Sequence, residues 1–226
     1  MSDVCLSSAK DSWTETKKIE LNIFFLSLAA VLFIETAAIL LFSEIKVLSL
    51  MGTGVVRLFE IVLIIILVLV WGQGLSSIGL APSTMVKGLI RGLFWSASFG
   101  IITFIAFIFL FLLDINPFAL IHTRLPEKFE EMILFFLVGG MIGPVAEEIF
   151  FRGIIYGFFR RWGVLAALIL SSTIFVLAHL TSGIPVTQIV GGIIFAIAYE
   201  KEGSLVVPIT IHSLGNMAIF ALSLIY

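Results

Sequence analysis

Leu93 to Leu113 reads LFWSASFGIITFIAFIFLFLL, a run without one charged residue. A helix needs about 20 apolar residues to cross the hydrocarbon core of a bilayer, and this run supplies them. Six other stretches repeat the pattern. Leu21 to Ser43 is broken only by Glu35, and Val55 to Trp71 is rich in Ile, Val and Leu. Met132 to Phe151 runs straight into charged residues. Val164 to Leu180, Ile184 to Tyr199 and Ser204 to Tyr226 complete the set. The expected fold is all-α, a polytopic transmembrane helix bundle of about seven spans within a range of six to eight.

Composition agrees. Of 226 residues, 60% are hydrophobic and 12% charged, about half the roughly 25% charge of a soluble domain. A soluble fold of this size could not cover so much apolar surface, so the expected surroundings are membrane lipids. The net charge of −2 gives no reason to expect nucleic acid as a partner. Cys5 is the only cysteine, so it has no partner for an intrachain disulfide. Nothing in the sequence fixes the oligomeric state.

Residues 1–20 carry seven charged residues and read as a polar N-terminal tail, and 21–226 as one membrane domain. Residues 72–92 suggest a loop leading into an amphipathic interfacial helix, and 114–131 form the longest polar loop between spans. With the N-terminus cytoplasmic, Lys10, Lys17, Lys18, Lys87, Arg91, Arg160, Arg161 and Lys201 fall inside, and Lys46, Arg57, Arg124 and Lys128 outside. That bias follows the preference of Lys and Arg for the cytoplasmic side. Gly88 and Gly92, Gly139 and Gly143, and Gly153 and Gly157 stand four apart, which clears one helix face for a close neighbour.

Ionisable residues inside spans are costly, which makes them functional candidates. The set singled out on this ground is Glu147, Glu148, Arg152, His179 and His212, with Asn216 as a polar neighbour, all in the second half of the chain. Gly139, Gly140, Gly143 and Pro144 come just before the glutamates, so the helix is expected to bend or restart there. Glu148 and Arg152 are four apart and nearly stacked, with the acid N-terminal to the cation, the favoured order. Glu147 points about 100° away from Glu148. Glu148 and Arg152 can therefore neutralise each other while Glu147 faces something else, as a general base or acid would. The plainer explanation is a charge cluster that anchors the helix end. His179 follows Phe175 by one turn, and a lone histidine at a helix end is more often structural than catalytic. His212 and Asn216 share a face and can offer two donors to one oxyanion; the plainer alternative is an interhelical hydrogen bond. His122 reads as a surface residue. Together these residues supply a base for water, a second proton carrier and oxyanion donors, the inventory for amide hydrolysis.

Glu147-Glu148-x-x-x-Arg152, Phe175-x-x-x-His179 and His212-x-x-x-Asn216 resemble the three motifs of the CPBP family of intramembrane proteases. That family contains the type II CAAX prenyl endopeptidases and the bacterial Abi relatives. Gly153, Leu180 and Gly203-Ser204-Leu205 agree with it, and the resemblance spans about residues 130–222, the expected catalytic half. It implies a helical membrane fold with a cavity open toward the cytosol, in a bacterial or archaeal cell membrane. It further implies that Glu147 activates water with help from His179, that His212 and Asn216 stabilise the oxyanion, and that Glu148 and Arg152 support the site. The implied substrate is a membrane-associated or lipidated peptide or protein. CAAX enzymes remove the tripeptide after a prenylated cysteine, while bacterial relatives are linked to peptide maturation and bacteriocin immunity. Glu147, His179 and His212 would also make the His₂Glu set of a catalytic zinc. Metal-independent catalysis, with no cofactor required, fits Asn216 better; both remain open from sequence.

Two rival functions use the same residues. A proton- or ion-coupled transporter would carry broken helices in both halves, and confinement of the polar set to one half counts against it. A non-catalytic membrane immunity or partner protein would keep the fold and bind only.

Overall fold

The computed structural model describes residues 19–42, 50–179 and 185–225. Cys5, Leu180 and the lysines at 10, 17, 18 and 46 lie outside them, as do most of the polar tail and residue 226. The described residues form helices α1 (Leu21–Phe42), α2 (Leu50–Val70), α3 (Met85–Leu112), α4 (Phe129–Trp162), α5 (Val164–Ala178), α6 (Val186–Glu202) and α7 (Val206–Ser223), with no strand among them. The fold is an all-helical membrane bundle. Five of these helices, α1 to α4 and α7, are long and apolar enough to cross a membrane, and α5 is a shorter apolar helix.

Three expectations need correction. The segment 72–92 is not a loop leading to a separate interfacial helix. Two 3₁₀ turns, Leu75–Ile78 and Pro82–Thr84, lead directly into α3 at Met85. Lys87 and Arg91 therefore ride on the first turns of a spanning helix. Packing holds those turns: a Cβ on Gly92 would meet the Thr210 Cβ of α7 at 2.6 Å, and one on Gly88 would meet Ser204 Oγ at 2.5 Å. The backbones approach this closely only because both side chains are absent. Secondly, α2 starts at Leu50 rather than Val55, so Arg57 lies two turns inside the helix and not at its first turn. Thirdly, α4 neither restarts before Glu147 nor stops at Phe151. It runs on through the charged motif to Trp162, and the Glu148–Arg152 pair neutralises its own charges within the helix.

The helix changes winding instead of breaking. Val138–Ile142 is wound as π-helix, Gly143–Glu148 as α-helix and Ile149–Tyr156 as π-helix again. Such wide turns concentrate at functional sites. Helix α4 packs against α1, α2, α5, α6 and α7, so its charged middle lies inside the bundle. Ile149, Ile154, Tyr156, Phe175, Ala196 and Val207 build the core around it. On the outside, Phe33, Phe94, Phe104, Phe109 and Leu165 are exposed, as lipid-facing side chains are in a helical membrane protein.

Candidate active site

In α4 the π-turn leaves a backbone carbonyl to be satisfied. Gly143 N–H donates to Val138 O, five residues back. In that register the carbonyl of Gly139 would accept from residue 144, which is Pro144 and has no N–H. The Asn216 amide from α7 fills the gap, donating through Nδ2 to Gly139 O at 2.8 Å. Asn216 thus ties α7 to the turn that precedes the glutamates, and the second N–H of its amide is not used by this bond.

One helical turn along α7, His212 is buried, and its Nδ1 lies 2.8 Å from Glu148 Oε1. That same oxygen accepts from Arg152 Nη1 at 2.9 Å. Glu148 and Arg152 are both fully buried. A buried pair is tolerated only when further hydrogen bonds complete it, and here they do in part. Arg152 Nη2 donates to Gly192 O at 3.2 Å, and the guanidinium lies 4.5 Å from the Phe175 ring centre and 5.2 Å from that of Phe195. Phe195 stacks on the His212 ring at 4.6 Å. These contacts fix the imidazole on both its edge and its face.

Phe175 also supports the other histidine. His179 Nδ1 lies 2.8 Å from Phe175 O, and a carbonyl only accepts, so Nδ1 carries the proton. In the neutral ring Nε2 is then an acceptor. It faces Glu147 Oε2 at 3.6 Å, and His212 Nε2 faces the same oxygen at 3.9 Å. Glu147, His179 and His212 therefore meet, Glu148 and Arg152 stand behind His212, and Asn216 sits one turn further along α7. Glu147 and His179 are partly exposed, so water can reach them.

The histidine Nδ1 contacts are of the kind that orient metal-bound imidazoles. Yet among the described residues no three His, Cys, Asp or Glu side chains are arranged to hold a metal ion. The proposed steps use these side chains without a metal.

The structure adds residues outside the expected set. Glu35 of α1 and Arg57 and Glu60 of α2 form an ion cluster, with Arg57 Nη1 2.7 Å from both Glu35 Oε1 and Glu60 Oε2. Arg57 and Glu60 line one cavity with Glu147. The polar set is thus not confined to the second half of the chain, and that ground for setting a transporter aside is lost. The signal was present in the sequence: Arg57 and Glu60 are in-span ionisable residues three apart, and the rule that picked out Glu147 applies equally to them.

Residues 129–218 match the family model described as type II CAAX prenyl endopeptidase Rce1-like. Over that stretch the chain is similar to that family. No curated protein and no solved structure matches. The Rce1-like stretch opens at the start of α4 and closes within α7, so it contains Glu147, Glu148, Arg152, His179, His212 and Asn216. The CPBP resemblance of the motifs and the family match thus fall on the same segment. The match covers less than half of the chain, and over it the chain is similar to a family of CAAX prenyl endopeptidases; the rest of the chain adds apolar helices long enough to cross a membrane. Helices α1 to α3, and with them the Glu35–Arg57–Glu60 cluster, lie outside the Rce1-like stretch.

Proposed function

We propose that the chain is an intramembrane endopeptidase that hydrolyses a peptide bond of a membrane-associated or lipidated substrate. The observation that carries this is the approach of His179 Nε2 and His212 Nε2 to one oxygen of Glu147. Glu147 takes a proton from a water, which attacks the scissile carbonyl. His179, whose Nε2 is free to accept, relays that proton to the leaving amine. The oxyanion needs donors. His212 donates a hydrogen bond from Nδ1 to Glu148, so only its imidazolium form also carries a proton on Nε2. Glu148 supplies the negative charge that such an imidazolium requires. The second N–H of Asn216 is the other donor. The N-terminus faces the cytoplasm, as the distribution of Lys and Arg favours.

The test is cleavage of a membrane-anchored peptide by the purified chain, with and without a prenylated cysteine near the peptide's C-terminus. Glu147→Gln keeps shape and removes the base, so turnover is expected to fall about 10²-fold or more. Full activity in that variant removes the peptidase assignment. A chelator is expected to leave wild-type turnover unchanged; loss restored by added zinc would replace the glutamate mechanism with a metal-dependent one.

A further inference from the structure

The Glu35–Arg57–Glu60 cluster has a plain structural use, which is to cross-link α1 to α2. That accounts for the two short contacts of Arg57. It does not account for the rest of Glu60. This residue is 3% exposed, and its Oε1 has no hydrogen-bond partner among the described residues. Glu147 Oε2 is likewise buried without a hydrogen-bond partner, since both imidazole nitrogens stand beyond bonding distance. Buried carboxylate oxygens seldom stay unsatisfied.

Glu60, Glu147 and Arg57 line the same cavity, together with Val31, Ile64 and Phe151. The space open to the centre of a water there is ≈ 20 Å³, which is about what a single water needs. Apolar cavities of this size stay dry, whereas polar ones with two to four partners hold water. This one has a guanidinium to donate and two carboxylates to accept.

We propose that Arg57 and Glu60 hold a water in this cavity against Glu147, and so position its carboxylate. The water accepts from Arg57 and donates one proton to Glu60 Oε1 and the other to Glu147. Glu35 holds Arg57 in place. No covalent bond changes. Arg57 and Glu60 are positioning residues, and their part in turnover rests on the peptidase function proposed above. The half of the chain outside the Rce1-like stretch then supplies one wall of the site.

The full-length protein in detergent tests this in two ways. In the cleavage assay, Glu60→Ala is expected to lower kcat about 10-fold, because misplacing a reacting group by an ångström costs that much or more. KM should stay within about twofold. Glu60→Gln retains an acceptor oxygen and should recover most of the loss. A purely structural Glu60 would lower the yield of folded protein and its Tm, with kcat per folded molecule unchanged, and that result overturns the proposal. The second measurement needs no activity. Tm shifts of Glu60→Ala, Glu147→Gln and the double variant should be non-additive, since both residues hold one water; additive shifts refute the bridge. If the wild type cleaves nothing while the shifts are non-additive, the peptidase function fails and the water bridge stands.

Discussion

Arg152→Ala removes the cation from a site that water does not reach. Glu148 is left fully buried, and removing one partner of a buried ion pair costs about 3–5 kcal/mol. The structure sets where in that range this variant falls. Gly192 O loses Arg152 Nη2 but keeps Ser172 Oγ, which donates to it at 2.9 Å, so no carbonyl is orphaned. Glu148 Oε1 keeps His212 Nδ1 at 2.8 Å, and a protonated His212 would offset part of the stranded charge. On the other side of the balance, the guanidinium leaves a void against Phe175 and Phe195, which adds a cavity cost. The two corrections oppose each other, so the middle of the range, about 4 kcal/mol, is the expected loss. For a chain of this length that corresponds to a fall in Tm on the order of 10 °C. The assay is thermal unfolding in detergent of wild type, Arg152→Ala, Glu148→Ala and the double variant. The double variant should unfold above Arg152→Ala, because it no longer buries a lone carboxylate. A Tm for Arg152→Ala within a degree or two of wild type would refute the picture of a dry ion pair.

Three further outcomes follow from the same geometry. Asn216→Ala should reduce kcat on the order of 10²-fold, as loss of one oxyanion donor does, with KM little changed; a rise in KM alone would make Asn216 a binding residue. Pro144→Ala restores an N–H that competes with Asn216 for Gly139 O, so it should lower kcat and stack with Asn216→Ala less than additively in a kinetic double-mutant cycle. Gly92→Leu forces side-chain atoms into Thr210 of α7, and should cost roughly 1–3 kcal/mol of stability, measured by thermal unfolding in detergent.

Hydrophobic runs and i, i+4 pairs are what the sequence displays openly, and the corresponding parts of the structure were legible. Glu148 and Arg152 pair as their spacing on one helix requires, and Phe175 stands one turn behind His179 as a local backbone acceptor. What was not legible depends on registers and on partners far away in sequence. Gly139, Gly140, Gly143 and Pro144 suggest a bend or a restart, yet whether such a segment bends, restarts or winds as π-helix depends on which carbonyls a neighbouring helix can satisfy. Asn216, 77 residues away, is the neighbour that decides it. Likewise, the 3.6-residue period directs Glu147 away from Arg152, but only packing shows that both imidazoles occupy that direction.

Arg57 and Glu60 escaped for a different reason. Helix propensity and mean hydropathy average over a window, and α2 is apolar enough overall to hide two charges three residues apart. A window is the wrong measure for a membrane helix, because each in-span charge must find its own counter-charge or water. Counted one at a time, the charges inside α1, α2 and the middle of α4 pair off near Glu147: Arg57 answers Glu35 and Glu60, and Arg152 answers Glu148. Of these carboxylates Glu147 alone has no guanidinium within pairing distance, and both histidines face it. A carboxylate held in that position can exchange a proton without breaking an ion pair, which is the property that hydrolysis demands of it.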